Sequence, residues 1–555
     1  MTSMETYDAA VIGGGPAGAA AARLLASWGH SVRVLHNGQE PSRGLAESVP
    51  PSTRKLLTAI GVLDAVERAG FYQTTGNTVW WGSHETRHEA FAGEPGFQVF
   101  RPDFDEVLLK EASAAGADVC RSAVVRRVDV DRADGAARID YDHNGVRARV
   151  TARFVLDCSG RAGVVAKSHR RMEPSYRMYA LVGAWCRPGG WAVADETHTL
   201  VETYEDGWVW SVPLPASVRH VGAMVDGGLT RVTSGHGLAD LYRAEIAKAH
   251  HFSQLLAQAD LQRVWACDAA LYSSDVYAGS RFLLVGDAGS FIDPLSSFGI
   301  KKALASAWLA AVVVRTCLTH PERQPVALQF FSRWERDVYG THLRRSRDFA
   351  RAAYRRHPHP FWSRRAETEV TGGGSVSDAD RLRNGGVQTA LEALRRAPRI
   401  DLELADGLTI EKTAVIRGHE IVLEDAIVLA APARETGVPL ATPPPNEAGK
   451  ARAGDVADGR GLNAWAAADV DVPPGQPFPG VRFLNHVDLL SLARIACEHK
   501  QVPDVFAAYC RVHGAAPLPA VVGALSFLVA HGILRPRSVS DPDLQGPVCR
   551  YSDGP

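Results

Sequence analysis

The stretch "YDAAVIGGGPAGAAAARLLASWGHSVRVL" at residues 7–35 constrains this chain more than any other. The apolar "AAVI" reads as a buried strand, the glycines turn the chain, an Ala-rich run follows as a helix, and "HSVRVL" supplies a second strand. Gly13, Gly15 and Gly18 complete GxGxxG between a strand and a helix, the context in which that pattern carries chemistry. Gly13 permits the tight turn, Gly15 lets the backbone approach a pyrophosphate, and Gly18 lets the helix pack on the strand, with the small Ala17 in the same contact set. The start of the helix offers unpaired N–H groups and a positive dipole end to phosphates. A dinucleotide site is therefore expected, with a merely structural turn as the bland alternative. One position departs from the pattern. The acid expected at the end of the second strand to hold a ribose is absent, and His36 and Asn37 stand there, either of which can hydrogen-bond a hydroxyl.

The second half of the site selects the dinucleotide. "SRFLLVGDAGSFIDPLSSFGIKKALASAWLAAVVV" (280–314) is another apolar strand ending in Gly286 and Asp287, then a loop, then a long helix starting near Gly299 and Ile300. Asp287 can accept from a ribityl chain, and the helix start can face the carbonyl edge of an isoalloxazine, where negative charge collects on reduction. FAD is the expected cofactor. Between these stretches "ARFVLDCSGRAG" (152–163) ends a further strand in Asp157-Cys-Ser-Gly160.

Three strand-end loops in this order resemble the FAD-binding fold of the aromatic hydroxylase and flavin-dependent halogenase group, over residues 5 to about 350. "RGLAESVPPSTRKLLTAIGV" (43–62) is similar to the loop in which an Arg and a Glu-Ser lead into a helix beside the flavin; here these are Arg43, Glu47 and Ser48. "FRPDFDEVLLKEA" (100–112) resembles the helix whose first Arg, Arg101, approaches the cofactor. "GWVWSVP" (207–213) resembles the halogenase WxWxIP signature, which implies that Trp208 and Trp210 line a wall between flavin and substrate. On a strand they share one face, so a plain core strand is the competing reading. The "ESVPPS" loop also resembles that of maturase-type flavoproteins that hydroxylate a tryptophan within a partner polypeptide.

The resemblance implies that reduced flavin takes up oxygen as a C4a-hydroperoxide, which oxygenates an electron-rich ring or oxidises a halide to a species held by a lysine. By the same likeness that lysine belongs in "GFYQTTGNTVWWGS" (70–83), where Gln73, Thr74 and Thr75 stand instead and no Lys occurs between Lys55 and Lys110. The expectation is therefore an FAD-dependent monooxygenase hydroxylating an electron-rich aromatic substrate, free or borne on a peptide or carrier, with Trp208, Trp210, Glu47 and Ser48 at the reacting end. A halogenase is the alternative, and a flavin-binding regulator a remote one. No second GxGxxG for a nicotinamide is present, so a transient nicotinamide visit or a separate flavin reductase supplies electrons.

The 555 residues exceed what one hydrophobic core organises, which points to several domains. Lys and Arg total 61 against 62 Asp and Glu, with no long run of either sign, so neither a nucleic-acid nor an anionic-membrane partner is expected. Eight scattered cysteines without a CxxC pair argue against a metal centre or disulfide framework and for a reducing compartment. Without a basic leader or an apolar stretch approaching a membrane span, a cytoplasmic location is expected. The fold class is α/β: a Rossmann-like FAD-binding fold with an inserted antiparallel substrate sheet, followed by a small α+β winged-helix-like C-terminal domain. The expected limits are 1–170 and 276–400 for the FAD-binding parts, 171–275 for the substrate sheet, and 401–555 for the last module, with a Pro/Gly-rich linker at 441–461.

Overall fold

A computed structural model describes residues 6–38, 44–83, 85–130, 135–165, 167–230, 236–370, 385–396, 399–406, 408–428 and 481–537. Two compact units emerge; the first holds the described residues up to 370 and 416–422, the second the remainder. In the first unit β1 (Thr6–Ile12) turns through Gly13–Gly15 into α1 (Pro16–Ser27) and β2 (Val32–His36). Then come β3 (Ala46–Val49), α2 (Arg101–Ala114), β4 (Gly207–Leu214), α3 (Gly299–Thr319) and α4 (Gln324–Tyr354).

β1 lies at the centre of an eight-stranded sheet ordered 278–279, 282–284, 146–157, β1, β2, 118–121, with 137–143 and 123–129 added antiparallel beyond 146–157. Strands 282–284, 146–157, β1, β2 and 118–121 run parallel. Parallel strands are covered on both faces, which is why "AAVI" is apolar throughout rather than alternating: Ala9, Ala10 and Val11 are inaccessible. Their C-terminal ends, at Ile12, His36, Arg121, Asp157 and Leu284, share one edge, and ligands of open parallel sheets bind there.

A seven-stranded sheet runs 260–268, 178–186, 218–226, β4, 199–204, 76–80, 87–90, antiparallel except for the pair 199–204 and 76–80. The expected substrate sheet is thus present, but its limit at residue 171 is corrected: strands 76–80 and 87–90 extend it, because Thr78 and Trp80 bury their side chains only by joining that edge. β3 belongs to a separate three-stranded sheet with 96–100 and 72–74.

α3 is 21 residues long and apolar enough to cross a membrane, contrary to the reading of the sequence. It is the core helix of the unit: Leu304, Ala307, Ala310, Val313 and Val314 are inaccessible, and it packs along α1.

The second unit begins at helix Gly385–Arg396, not at residue 401, because Val387 and Leu394 are buried in one core with Leu525, Phe527 and Leu528. Strands 402–404 and 534–536 pair antiparallel, and helices Leu489–Glu498, Val502–His513 and Leu518–Ala530 lie between them in sequence. The expected α+β character is present; a wing hairpin following those helices is not among the described residues. Arg43, the linker 441–461 and Cys549 lie outside the described residues, and the other seven cysteines are free thiols.

Candidate flavin site

A cleft of about 570 Å³ opens along the C-terminal edge of the parallel sheet. It gathers Gly13, Gly15, Ala17, His36 and Asn37 with Glu47, Ser48 and Arg101, and, from far along the chain, Trp208, Trp210, Asp287, Gly299 and Ile300. Gly18 and Gly286 do not line it. A Cβ on Gly18 would overlap the Gly13 carbonyl oxygen, so Gly18 serves the helix-on-strand packing read from the sequence. Gly286, at φ +63°, lies against Ala17, where a Cβ would stand 3.3 Å from the alanine methyl.

The glycine turn fits a pyrophosphate. Gly13 adopts φ +103°, which strains any other residue, and donates to the Leu35 carbonyl at 2.9 Å. Gly15 begins α1, Pro16 follows at its first position, and no acidic residue occupies the first turn. A Cβ on Gly15 would meet nothing closer than Asp105 Oδ2 at 3.6 Å and Arg101 Nη2 at 3.7 Å. The protein therefore leaves at Gly15 a cradle that a side chain would fill, beside amides with no helical partner.

His36 sits where the ribose acid was expected. Its Nδ1 accepts the Gly14 N–H at 3.2 Å, which leaves the ring proton on Nε2. Burial, then Arg121, lowers its pKa, with Asp105 and Glu106 opposing, so the ring is held neutral. The residue thus presents an N–H donor at the cleft where a carboxylate would present an acceptor.

Arg101, at the start of α2, spans the middle of the cleft. Its Nη1 lies 2.6 Å from Glu47 Oε1, and its Nε and Nη2 lie 2.9 and 3.0 Å from the two Asp105 oxygens. Burial would lower the guanidinium's pKa, but Asp105 and Glu47 outweigh it and raise it further. Glu47 Oε2 stands 3.8 Å from where a Gly299 Cβ would be, so the same ion pair reaches the start of α3. Ser48 is buried beside it.

The FAD binding domain family matches residues 6–316. The chain belongs to that family. It is 30% identical to the tryptophan 2-halogenase of Chondromyces crocatus over 336 residues, 58% of this chain and 64% of that protein. It therefore spans somewhat less than two thirds of that relative's length. Among solved structures it superposes on CmlS, a flavin-dependent halogenase, with a TM-score of 0.69 at 21% identity, covering 96% of each chain. It superposes on the peptidyl tryptophan dihydroxylase QhpG with a TM-score of 0.62 at 22% identity, covering 95% of this chain and 100% of that one. The two structures share the fold over nearly the whole length. FAD is the group that this family's domain binds, and the chain is similar to a tryptophan halogenase. The reading of the sequence had put oxygen insertion first; the named relatives put halogenation first.

The FAD-binding cleft ends at the two tryptophans of β4. Trp208 is 3% exposed and meets Trp81 edge-on at 6.2 Å, with Trp81 in turn against Phe349 and Trp362. Trp210 is half-buried and lies flat over Gly222, whose missing Cβ makes room for the indole. Both readings of the pair hold in part: the indoles share one face and one apolar cluster, and both also line the cleft. Thr199, Val201 and Phe291 complete that end.

Among the described residues no lysine lines the cleft. In the 70–83 segment Thr75 is exposed and bonded to Asp195, while Thr74 points inward and donates to the Gly76 carbonyl. Lys55 is exposed. Lys301, next to Ile300, is partly buried outside the cleft with its Nζ 2.9 Å from Ser52 Oγ; burial, then Arg345 and Lys55, push it down to about 8.

Two groups escaped the sequence reading. His220, buried in strand 218–226, accepts the Ala46 N–H at 3.0 Å and so ties β3, which bears Glu47 and Ser48, to the substrate sheet; burial, then Arg263, push it down to about 4. Lys302 and Ser306 grip the Gly286 turn from α3. Their signal was available as two polar residues four apart, facing inward among the apolar side chains of α3. Among the described residues no cluster of three or more His, Cys, Asp or Glu side chains is arranged to hold a metal.

Proposed function

We propose that the chain is a flavin-dependent halogenase-type enzyme acting on an electron-rich aromatic ring. The observation that carries this reading is the cleft ending in Trp208 and Trp210, in a chain similar to a protein named as a tryptophan 2-halogenase. Gly13–Gly15 and the start of α1 would hold the pyrophosphate, His36 the ribose, and Asp287 the ribityl chain. The first amides of α3, at Gly299 and Ile300, line the cleft and would stabilise negative charge developing on a bound flavin. Glu47, pinned by Arg101, fixes the loop opposite. The two indoles keep water from the reacting end and hold an aromatic substrate in place. When bound, FAD supplies the oxidising power by activating O₂.

Oxygen insertion is the second reading, and the absence of a lysine from the cleft wall favours it. The substrate class is the same in both: an aromatic small molecule or an aromatic residue on a peptide or carrier, with a reductase as electron donor. Free thiols fit a reducing, cytoplasmic setting.

The deciding experiment supplies the purified chain with FAD, NADPH, a flavin reductase, O₂ and a panel of indoles, phenols and tryptophan peptides, with and without bromide. A product with the bromine isotope pattern, formed only with halide, is the expected result. An oxygenated product carrying label from ¹⁸O₂, formed at an equal rate without halide, would replace halogenation with oxygen insertion.

A further inference from the structure

Behind the cleft wall lies a buried charged group that none of the cofactor contacts uses. Lys302 and Ser306, one turn apart, share a face of α3. The Lys302 ammonium donates to the Gly286 carbonyl at 3.0 Å and to the Ser290 carbonyl. Ser306 Oγ accepts the Gly286 N–H at 2.8 Å and donates to Glu335 Oε1 on α4. Both backbone groups of Gly286 are thereby held by side chains of one helix. The Lys302 side chain is 1% exposed, and its Nζ lies 3.6 Å from Asp287 Oδ1. Glu335 is inaccessible, and its Oε2 has no hydrogen-bond partner among the described residues.

A buried ammonium and a buried carboxylate of this kind are costly to desolvate, so their retention points to a role that an apolar pair could not fill. A methionine and a glutamine would fill the same volume. What the charges act on is the Gly286–Ser290 turn, which carries Asp287. Lys302 also sits in the first turn of α3, so its positive charge adds to the positive end of that helix on the side where reduction places negative charge. Glu335 opposes it from α4, and burial pushes its carboxyl up to about 7 against the pull of Lys302 and Ser306. In a dry interior such charges act across several ångströms.

We propose that Lys302 and Glu335 are positioning residues that hold the flavin-binding turn 286–290 and set the reduction potential of the bound FAD, Lys302 raising it and Glu335 lowering it. The inference depends on FAD binding and not on whether halogen or oxygen is transferred.

The test reconstitutes the full chain and three variants with FAD and measures the flavin midpoint potential by spectroelectrochemistry and the FAD dissociation constant by fluorescence quenching. Lys302→Met shifts the midpoint to more negative values and weakens FAD binding at least tenfold, and Lys302→Arg recovers most of both. Glu335→Gln shifts the midpoint to more positive values with FAD binding kept. Opposite signs are the signature, since a packing defect alone lowers Tm without moving the potential in a charge-dependent direction. If Lys302→Met retains no FAD, the Glu335→Gln arm decides alone. A wild-type midpoint in Glu335→Gln, or shifts of the same sign in both variants, overturns the proposal.

Discussion

Arg101 and Glu47, 54 positions apart in sequence, meet at 2.6 Å, and that ion pair ties α2 to β3 where the strand faces the start of α3. Because Arg101 also forks onto Asp105, beside Gly15, one guanidinium couples the phosphate end of the cleft to its reacting end. Arg101→Met leaves two carboxylates facing each other across the cofactor path. It should cost about 1–3 kcal/mol of stability, toward the low end because Arg101 and Glu47 are each about a quarter exposed, and weaken FAD binding by more than tenfold. Arg101→Lys should rescue little, since an ammonium cannot serve both partners in fork geometry. Urea unfolding and FAD titration check this; unchanged FAD affinity in Arg101→Met would remove Arg101 from the site.

The two glycines at the ends of the turn should fail differently. Gly15→Val fills a cradle the protein itself leaves open, so the apo chain should fold with near wild-type Tm yet retain no FAD. Gly18→Ala drives a methyl into the Gly13 carbonyl, so the fold itself should be lost or strongly destabilised. Full flavin occupancy in Gly15→Val would be fatal to the pyrophosphate assignment.

Neutral His36 accepts the Gly14 N–H, and a protonated ring would confront that donor with another. Its folded pKa lies below the ordinary histidine value, so its contribution is present above that value and is lost as pH falls through the folded one. FAD affinity should therefore hold at the ordinary histidine value and weaken only as pH falls through the lowered pKa of folded His36, approaching about tenfold per pH unit beyond it. Asn, which can accept the same N–H without titrating, should flatten the curve in His36→Asn. Fluorescence titrations from pH 5 to 8 measure it, and identical pH profiles for both proteins would sink the idea.

The indoles divide packing from chemistry. Trp208→Ala opens a cavity against Trp81 and should cost about 3–5 kcal/mol. Trp210→Ala, half-buried at the cleft, should keep most of the stability but release peroxide, with less product per NADPH consumed. Equal melting losses and equal coupling for the two variants would return the pair to ordinary core.

The FAD-binding half was legible because its signals are local. A GxGxxG turn needs its glycines for steric reasons that hold wherever the chain goes, and the sequence already sets His36 at the strand end where an acid was expected. What escaped depends on long-range placement. Nothing near Thr78 announces that strand 76–80 joins the edge at 199–204, and nothing near Ala46 announces His220. Thr74 and Thr75 could not be told apart as inward and outward until the strand's register was known. The helix at 385–396 reads as a continuation of the Arg-rich segment before it, yet its apolar face belongs to another core.

The parallel pairing of strand 76–80 with 199–204 also governs how the protein must be made. The first strand leaves the ribosome about 120 residues ahead of its partner, an interval of roughly 6–25 s at about 5–20 residues per second. During that time Thr78 and Trp80 present an uncovered edge on a chain that already contains the glycine turn. The parallel sheet offers no earlier shelter, since its strands 278–279 and 282–284 emerge later still, and cooler, slower expression or a holdase should raise the soluble yield. For the same reason residues 171–275 cannot be excised as an autonomous fragment: two of the seven strands would be left behind.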